Sequence, residues 1–99
     1  MSLLRVYGDT GSGNCYKVQL LLSQIDIEHE WVPVNVLASE TQTPEFLAMN
    51  PVGKIPTVVL PDGRILSESN AILCYLAEDT HLLPVRRYER AVALQWLFF

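Results

Sequence analysis

Asn50-Pro51-Val52-Gly53-Lys54-Ile55-Pro56-Thr57-Val58-Val59-Leu60 is the stretch on which the reading of this chain turns. Its second half is a β-branched apolar run with the composition of a buried strand. Pro56 stands directly before that run. Proline has no N–H to give to a ladder, so it belongs at the first position of a strand or at an edge. The Ile55-Pro56 bond can take either isomer at small cost. If trans, Pro56 is ordinary loop punctuation. If cis, it turns the preceding backbone outward and leaves its N–H and C=O open to an extended peptide. The flanking segments decide between the two.

After the run, Pro61-Asp62-Gly63 is a tight turn and Arg64-Ile65-Leu66 a further strand, so the two strands form an antiparallel hairpin. A helix follows over Ala71 to Glu78, introduced by Glu68-Ser69-Asn70. Before the run, Thr43-Pro44-Glu45 opens a short helix with proline at its first position and an acid in its first turn. Leu3 to Tyr7 reads as a first strand, with Leu4 and Val6 on one face and Arg5 and Tyr7 on the other. Gly8 to Asn14 is a turn-rich loop, and a helix runs from about Cys15 to Ile25, where Val18, Leu21, Leu22 and Ile25 form a core-facing stripe. Glu30 to Val36 is a second strand that Pro33 demotes to an edge. Leu82-Leu83-Pro84 is a linker, and a last helix spans about Arg86 to Phe99. Two strands joined through a helix are expected to be parallel. The predicted fold class is α/β: a four-stranded mixed sheet flanked by helices.

The 99 residues suffice for one modest core, and 49% hydrophobic content is that of a globular protein. The net charge of −4 and the absence of a basic run argue against nucleic acid or an anionic membrane as partner. No apolar run approaches the length of a membrane span and nothing reads as a secretory signal. A reducing, cytoplasmic setting is expected. Cys74 reads as a small buried thiol in an apolar helix. His29 and His81 lack metal-ligand spacing to each other or to the cysteines, so no metal site is expected. Gly8, Gly11 and Gly13 have the wrong intervals for a dinucleotide fingerprint.

Three segments in register resemble a known family. They are Ser12-Gly13-Asn14-Cys15-Tyr16-Lys17-Val18 after the first strand, Asn50 to Pro56 before the third, and Glu68-Ser69-Asn70-Ala71-Ile72 after the fourth. With Leu82-Leu83-Pro84 and Tyr88-Glu89-Arg90, they resemble the thioredoxin-like, glutathione-binding N-terminal domain of bacterial-type cytosolic glutathione transferases of the theta-like, serine class. The resemblance implies a domain at 1–80, followed at 81–99 by a linker and the start of a truncated all-helical second domain. It also implies a homodimer, with Leu94 to Phe99 buried at an interface, and a small electrophile as the second substrate.

The resemblance assigns roles to individual positions. Glu68 and Ser69 hold the γ-glutamyl end of glutathione: free N–H groups at a helix N-terminus attract its carboxylate, and Glu68 meets the ammonium. The plainer reading is that Ser69 caps its helix. The resemblance makes Ile55-Pro56 cis and pairs the Ile55 backbone with the cysteinyl part of glutathione. Ser12 takes the place of a thiol-activating serine, with Asn14 a second candidate donor and Tyr7 a weaker third. A hydroxyl donor there stabilises a thiolate whose ordinary pKa is near 8.5. Lys54 is the best cation for the glycyl carboxylate, and Gln42 offers a neutral donor where the family often has a basic side chain. Cys15 has the spacing of a thioredoxin motif whose first cysteine is replaced by Ser12, and reads as a buried group. Three functions are open on this reading: glutathione S-transfer to an electrophile, glutathione binding without turnover, and glutaredoxin-like reduction through Cys15.

Overall fold

The computed structural model describes residues 3–99. In chain order the elements are β1 (Leu4–Gly8), α1 (Gly13–Gln24), β2 (His29–Pro33), a 3₁₀ turn (Glu40–Gln42), α2 (Pro44–Met49), β3 (Thr57–Val59), β4 (Ile65–Ser67), α3 (Ser69–Ala77) and α4 (Arg87–Phe98). The strands form one mixed sheet in the order β2-β1-β3-β4. β1 pairs parallel with β2 and antiparallel with β3, and β3 pairs antiparallel with β4. This is the four-stranded arrangement expected from the helix-linked first pair and the Pro61-Asp62-Gly63 hairpin. β2 lies at an edge, which explains how Pro33 is tolerated within it.

Alternation along β1 sets the two faces of the sheet. Leu4, Val6 and Gly8 are buried, and Arg5 is exposed. On one face Val6 and Val58 pack with Val18, Leu21 and Leu22 of α1 and Ile72 and Leu76 of α3. Full burial of each such aliphatic side chain contributes roughly 1.5–3 kcal/mol. On the other face the Tyr7 ring meets Phe46 of α2 edge-on, with centroids 6.4 Å apart. Gly8 has no side chain because none fits: a Cβ there would lie 2.8 Å from the Trp31 ring and 3.2 Å from Cys15 Sγ.

Helix starts follow local chemistry. Ser12 caps α1, accepting from Cys15 N–H at 3.3 Å, and Thr43 caps α2, accepting from Phe46 N–H at 3.1 Å. The cap of α3 differs from expectation. Glu68, not Ser69, occupies the cap position, and Ser69 is the first helical residue. Cys74 also departs from its reading: it is half-buried, in an apolar groove with Leu21, Leu73, Leu83 and Leu97, because it faces the space between α3, α1 and α4. On α4, Leu94 and Leu97 are half-buried, whereas Trp96, Phe98 and Phe99 are exposed. No helix among the described residues is long and apolar enough to cross a membrane.

Candidate functional site

The site forms where three chain segments meet at one end of the sheet. The first is the Asn50–Thr57 loop. Asn50 is buried and uses both ends of its amide: Nδ2 donates to Lys54 C=O at 3.1 Å and to Thr57 Oγ1 at 3.0 Å, and Oδ1 accepts from Val52 N–H at 3.1 Å. Thr57 Oγ1 donates in turn to Lys54 C=O at 2.8 Å. These bonds fix Lys54 and, with it, the entry to the Ile55-Pro56 bond, which is cis. Strand pairing begins only at Thr57, so the Ile55 backbone stands outside the ladder.

The second segment is the junction of β4 and α3. The chain passes from Ser67 to Ser69 through one residue, Glu68, at φ 71° and ψ 113°. A side chain at such a backbone conformation costs of order 1–3 kcal/mol, a kind of strain that clusters at functional sites. Glu68 makes no capping bond with its side chain, and α3 has no acid in its first turn. Beyond the cap residue Glu68, no acidic side chain meets the positive end of the α3 dipole, and the Glu68 carboxylate does not bond to it. The Ser69 hydroxyl donates to Asn14 Oδ1 at a loose 3.5 Å.

The third segment is the loop from β1 into α1. Ser12 Oγ accepts the capping bond, which leaves its single O–H free to donate. Asn14 stands exposed in the first turn of α1.

Together these segments enclose two adjoining clefts. A cleft of about 170 Å³ is lined by Asn14, Lys54, Ile55, Pro56, Glu68 and Ser69, with Asn50, Val52 and Ser67 completing it. A more open cleft of about 390 Å³ is lined by Ser12, Asp9, Gly11, Val36, Leu37, Thr41 and Gly53, and shares Lys54 and Ile55 with the first. Seven of the eight site residues expected from sequence thus line one or the other of these two adjoining clefts. Gln42 lines neither. Its side-chain nitrogen donates to Gly53 C=O at 3.2 Å and Thr41 Oγ1 at 3.1 Å, so it braces the loop instead. Tyr7 lines neither cleft; its hydroxyl accepts from Arg5 at 3.3 Å. Cys15 is fully buried and points into the core. Asn50 also lines the first cleft, and sequence alone assigns it no role because its burial and its bonds to Lys54 and Thr57 arise only in the folded loop.

The family description "Glutathione S-transferase, N-terminal domain" matches residues 11–79. This chain belongs to the glutathione S-transferase family. A glutathione S-transferase from Pseudomonas fluorescens is 51% identical in sequence and superposes with a TM-score of 0.95, covering 99% of this chain and 49% of its own. A transferase family member from the same species, with two glutathione molecules bound, is 33% identical with a TM-score of 0.87, over 98% of this chain and 45% of its own. A disulfide-bond oxidoreductase of Escherichia coli is 40% identical over 93 residues, which is 87% of this chain and 43% of that protein. The chain therefore spans a little under half the length of these relatives.

Proposed function

We propose that this chain binds glutathione in the groove between the Asn50–Thr57 loop and the start of α3, and holds its thiol as a thiolate for attack on an electrophilic carbon. The observation that carries this reading is the convergence of Asn14, Lys54, Ile55, Pro56, Glu68 and Ser69 around one cleft at a helix N-terminus. The γ-glutamyl carboxylate meets the first N–H groups of α3 and the Ser69 hydroxyl, and its ammonium meets Glu68. The Ile55 backbone pairs with the cysteinyl unit as a short strand addition. Lys54 reaches the glycyl carboxylate from the wall shared by both clefts. The cysteinyl sulfur then lies toward Ser12, whose free O–H stabilises the thiolate, as in the serine class of the family.

A second reading draws on the likeness to the E. coli disulfide-bond oxidoreductase and to a structure holding two glutathione molecules. In it, the bound glutathione thiolate attacks one sulfur of a disulfide, forms a mixed disulfide and releases the other sulfur as a thiolate. Cys15 takes no part, since it is fully buried. The groove thus serves either electrophile, and binding without turnover is the third outcome. Domain division near residue 80, a reducing cytoplasmic setting and a homodimer with α4 at its interface complete the reading; the exposed Trp96, Phe98 and Phe99 side chains support the last.

The test measures glutathione affinity, then conjugation to a chlorinated aromatic, then reduction of a glutathione mixed disulfide. Glu68→Ala is expected to abolish glutathione binding. Ser12→Ala is expected to retain binding and lose turnover. Ser12→Asp keeps a helix cap but sets a negative charge beside the thiolate, so turnover should fall at least as far. Unchanged affinity in Glu68→Ala refutes the site, and unchanged turnover in both Ser12 variants refutes the thiolate role.

A further inference from the structure

We infer that Lys17 and Asn70 form a strut that positions the first turn of α3, and with it the glutathione groove; the functional side of this inference rests on the reading proposed above. Lys17 Nζ donates to Asn70 Oδ1 at 3.0 Å across 53 residues of sequence. The other end of the same amide, Asn70 Nδ2, donates to Leu97 C=O at 2.8 Å. One half-buried side chain thus ties three helices, α1, α3 and α4, at a single point.

The location gives the strut its consequence. Asn70 follows Ser69 directly, and Lys17 lies one helical turn after Asn14 on the same face of α1. The Asn14–Ser69 and Lys17–Asn70 pairs are successive rungs between the same two helices. The first rung, inside the groove, is loose at 3.5 Å. The second, just outside it, is tight and charge-assisted. The α3 start has no side-chain cap, because Glu68 sits at a positive φ and makes no capping bond with its side chain. Asn70 is the second residue of α3, and an asparagine amide near a helix start commonly bonds to nearby backbone groups. Here the amide is committed to two tertiary partners instead. A carbonyl oxygen has two lone pairs, so Leu97 can accept this bond alongside a helical one. Neither Lys17 nor Asn70 lines the first cleft, whereas Asn14 and Ser69 do, which makes Lys17 and Asn70 positioning residues.

The experiment compares wild type with Lys17→Met, Asn70→Ala, the double variant and Lys17→Arg, reading glutathione affinity by calorimetry and amide exchange at Ile72. The Ile72 N–H makes the first helical bond of α3, to Glu68 C=O at 3.0 Å, so its protection reports the anchoring of that turn. Each single variant is expected to weaken glutathione binding by about tenfold, the size of one charge-assisted bond, and to speed Ile72 exchange by about the same factor. The double variant should be no weaker than Asn70→Ala, because that variant already removes the link to Lys17 together with the one to Leu97. Lys17→Arg, which keeps a donor, should recover most of the affinity. Single variants within twofold of wild type, or penalties that multiply in the double variant, overturn the strut. If wild type itself fails to bind glutathione, the proposed function falls and Ile72 exchange decides alone: unchanged exchange in Asn70→Ala overturns the strut, and faster exchange sustains its structural half.

Discussion

Replacing Asn50 by alanine should be among the more damaging single changes to both stability and binding. The side chain is 4% exposed and makes three hydrogen bonds, to Lys54 C=O, Thr57 Oγ1 and Val52 N–H. A net contribution of about 1 kcal/mol per bond sets an upper figure of about 3 kcal/mol. Two features reduce it. Val52 is exposed, so water can take over its N–H, and Thr57 Oγ1 still donates to Lys54 C=O at 2.8 Å. The expected loss is therefore about 2 kcal/mol, since each net bond contributes about 1 kcal/mol. In a domain of this size that corresponds to a melting temperature lower by roughly 8–16 °C. Because Asn50 holds the loop that presents Ile55, glutathione affinity should also fall by about tenfold, as misplaced binding groups typically do. Asn50→Asp is the sharper comparison. It keeps the shape but cannot donate to the Lys54 carbonyl, and it introduces a buried charge, so it should destabilise at least as much. Urea denaturation with titration calorimetry measures both quantities. A stability loss under about 0.5 kcal/mol in both variants, with affinity unchanged, would show that the loop does not depend on this amide.

Three further outcomes are expected. Glu68→Gly should relieve the strain of a positive φ and stabilise the fold by about 1 kcal/mol while weakening glutathione binding; a destabilised variant in urea melts would refute the strain. Gly8→Ala should destabilise by about 1–3 kcal/mol, because its Cβ would press on the Trp31 ring and the buried Cys15; a neutral melt would contradict that packing. Asp62 accepts from the Arg64 backbone N–H and side chain, and the backbone bond foremost holds its carboxyl below its ordinary pKa. A carboxyl whose pKa is lowered on folding stabilises above its unfolded pKa, and that contribution is lost as pH falls through its folded pKa. Asp62→Asn should therefore lie below wild type at neutral pH and converge with it in acid; a gap that does not change with pH would refute the linkage.

Much of the fold was legible because its signals are local. The stripe of Val18, Leu21 and Leu22, the Thr43-Pro44-Glu45 helix start, the Pro61-Asp62-Gly63 turn and the edge proline Pro33 each act over a few residues, and each appears where expected. Ser12, Ile55-Pro56 and Glu68-Ser69, the centre of the proposed site, lie at element boundaries that the same local signals locate. What failed to show was long-range and polar. Gln42 has a side chain suited to a ligand, but the loop around Gly53 takes its donor. Ser69 has the chemistry of a cap, yet the direct passage from β4 into α3 gives that position to Glu68.

By itself, the sequence determined the order of elements, the mixed sheet and the element boundaries at which the proposed groove residues lie, because propensity, capping and hydrophobic period operate within a turn or two. Only the tertiary structure decided which polar side chains face the groove and which are consumed in holding it. Asn50 bonds to its own loop, Gln42 braces Gly53, and Lys17 finds Asn70 from 53 residues away. An amide or ammonium group satisfies whichever partner packing brings within about 3 Å, and that choice is made only when the helices meet on the sheet.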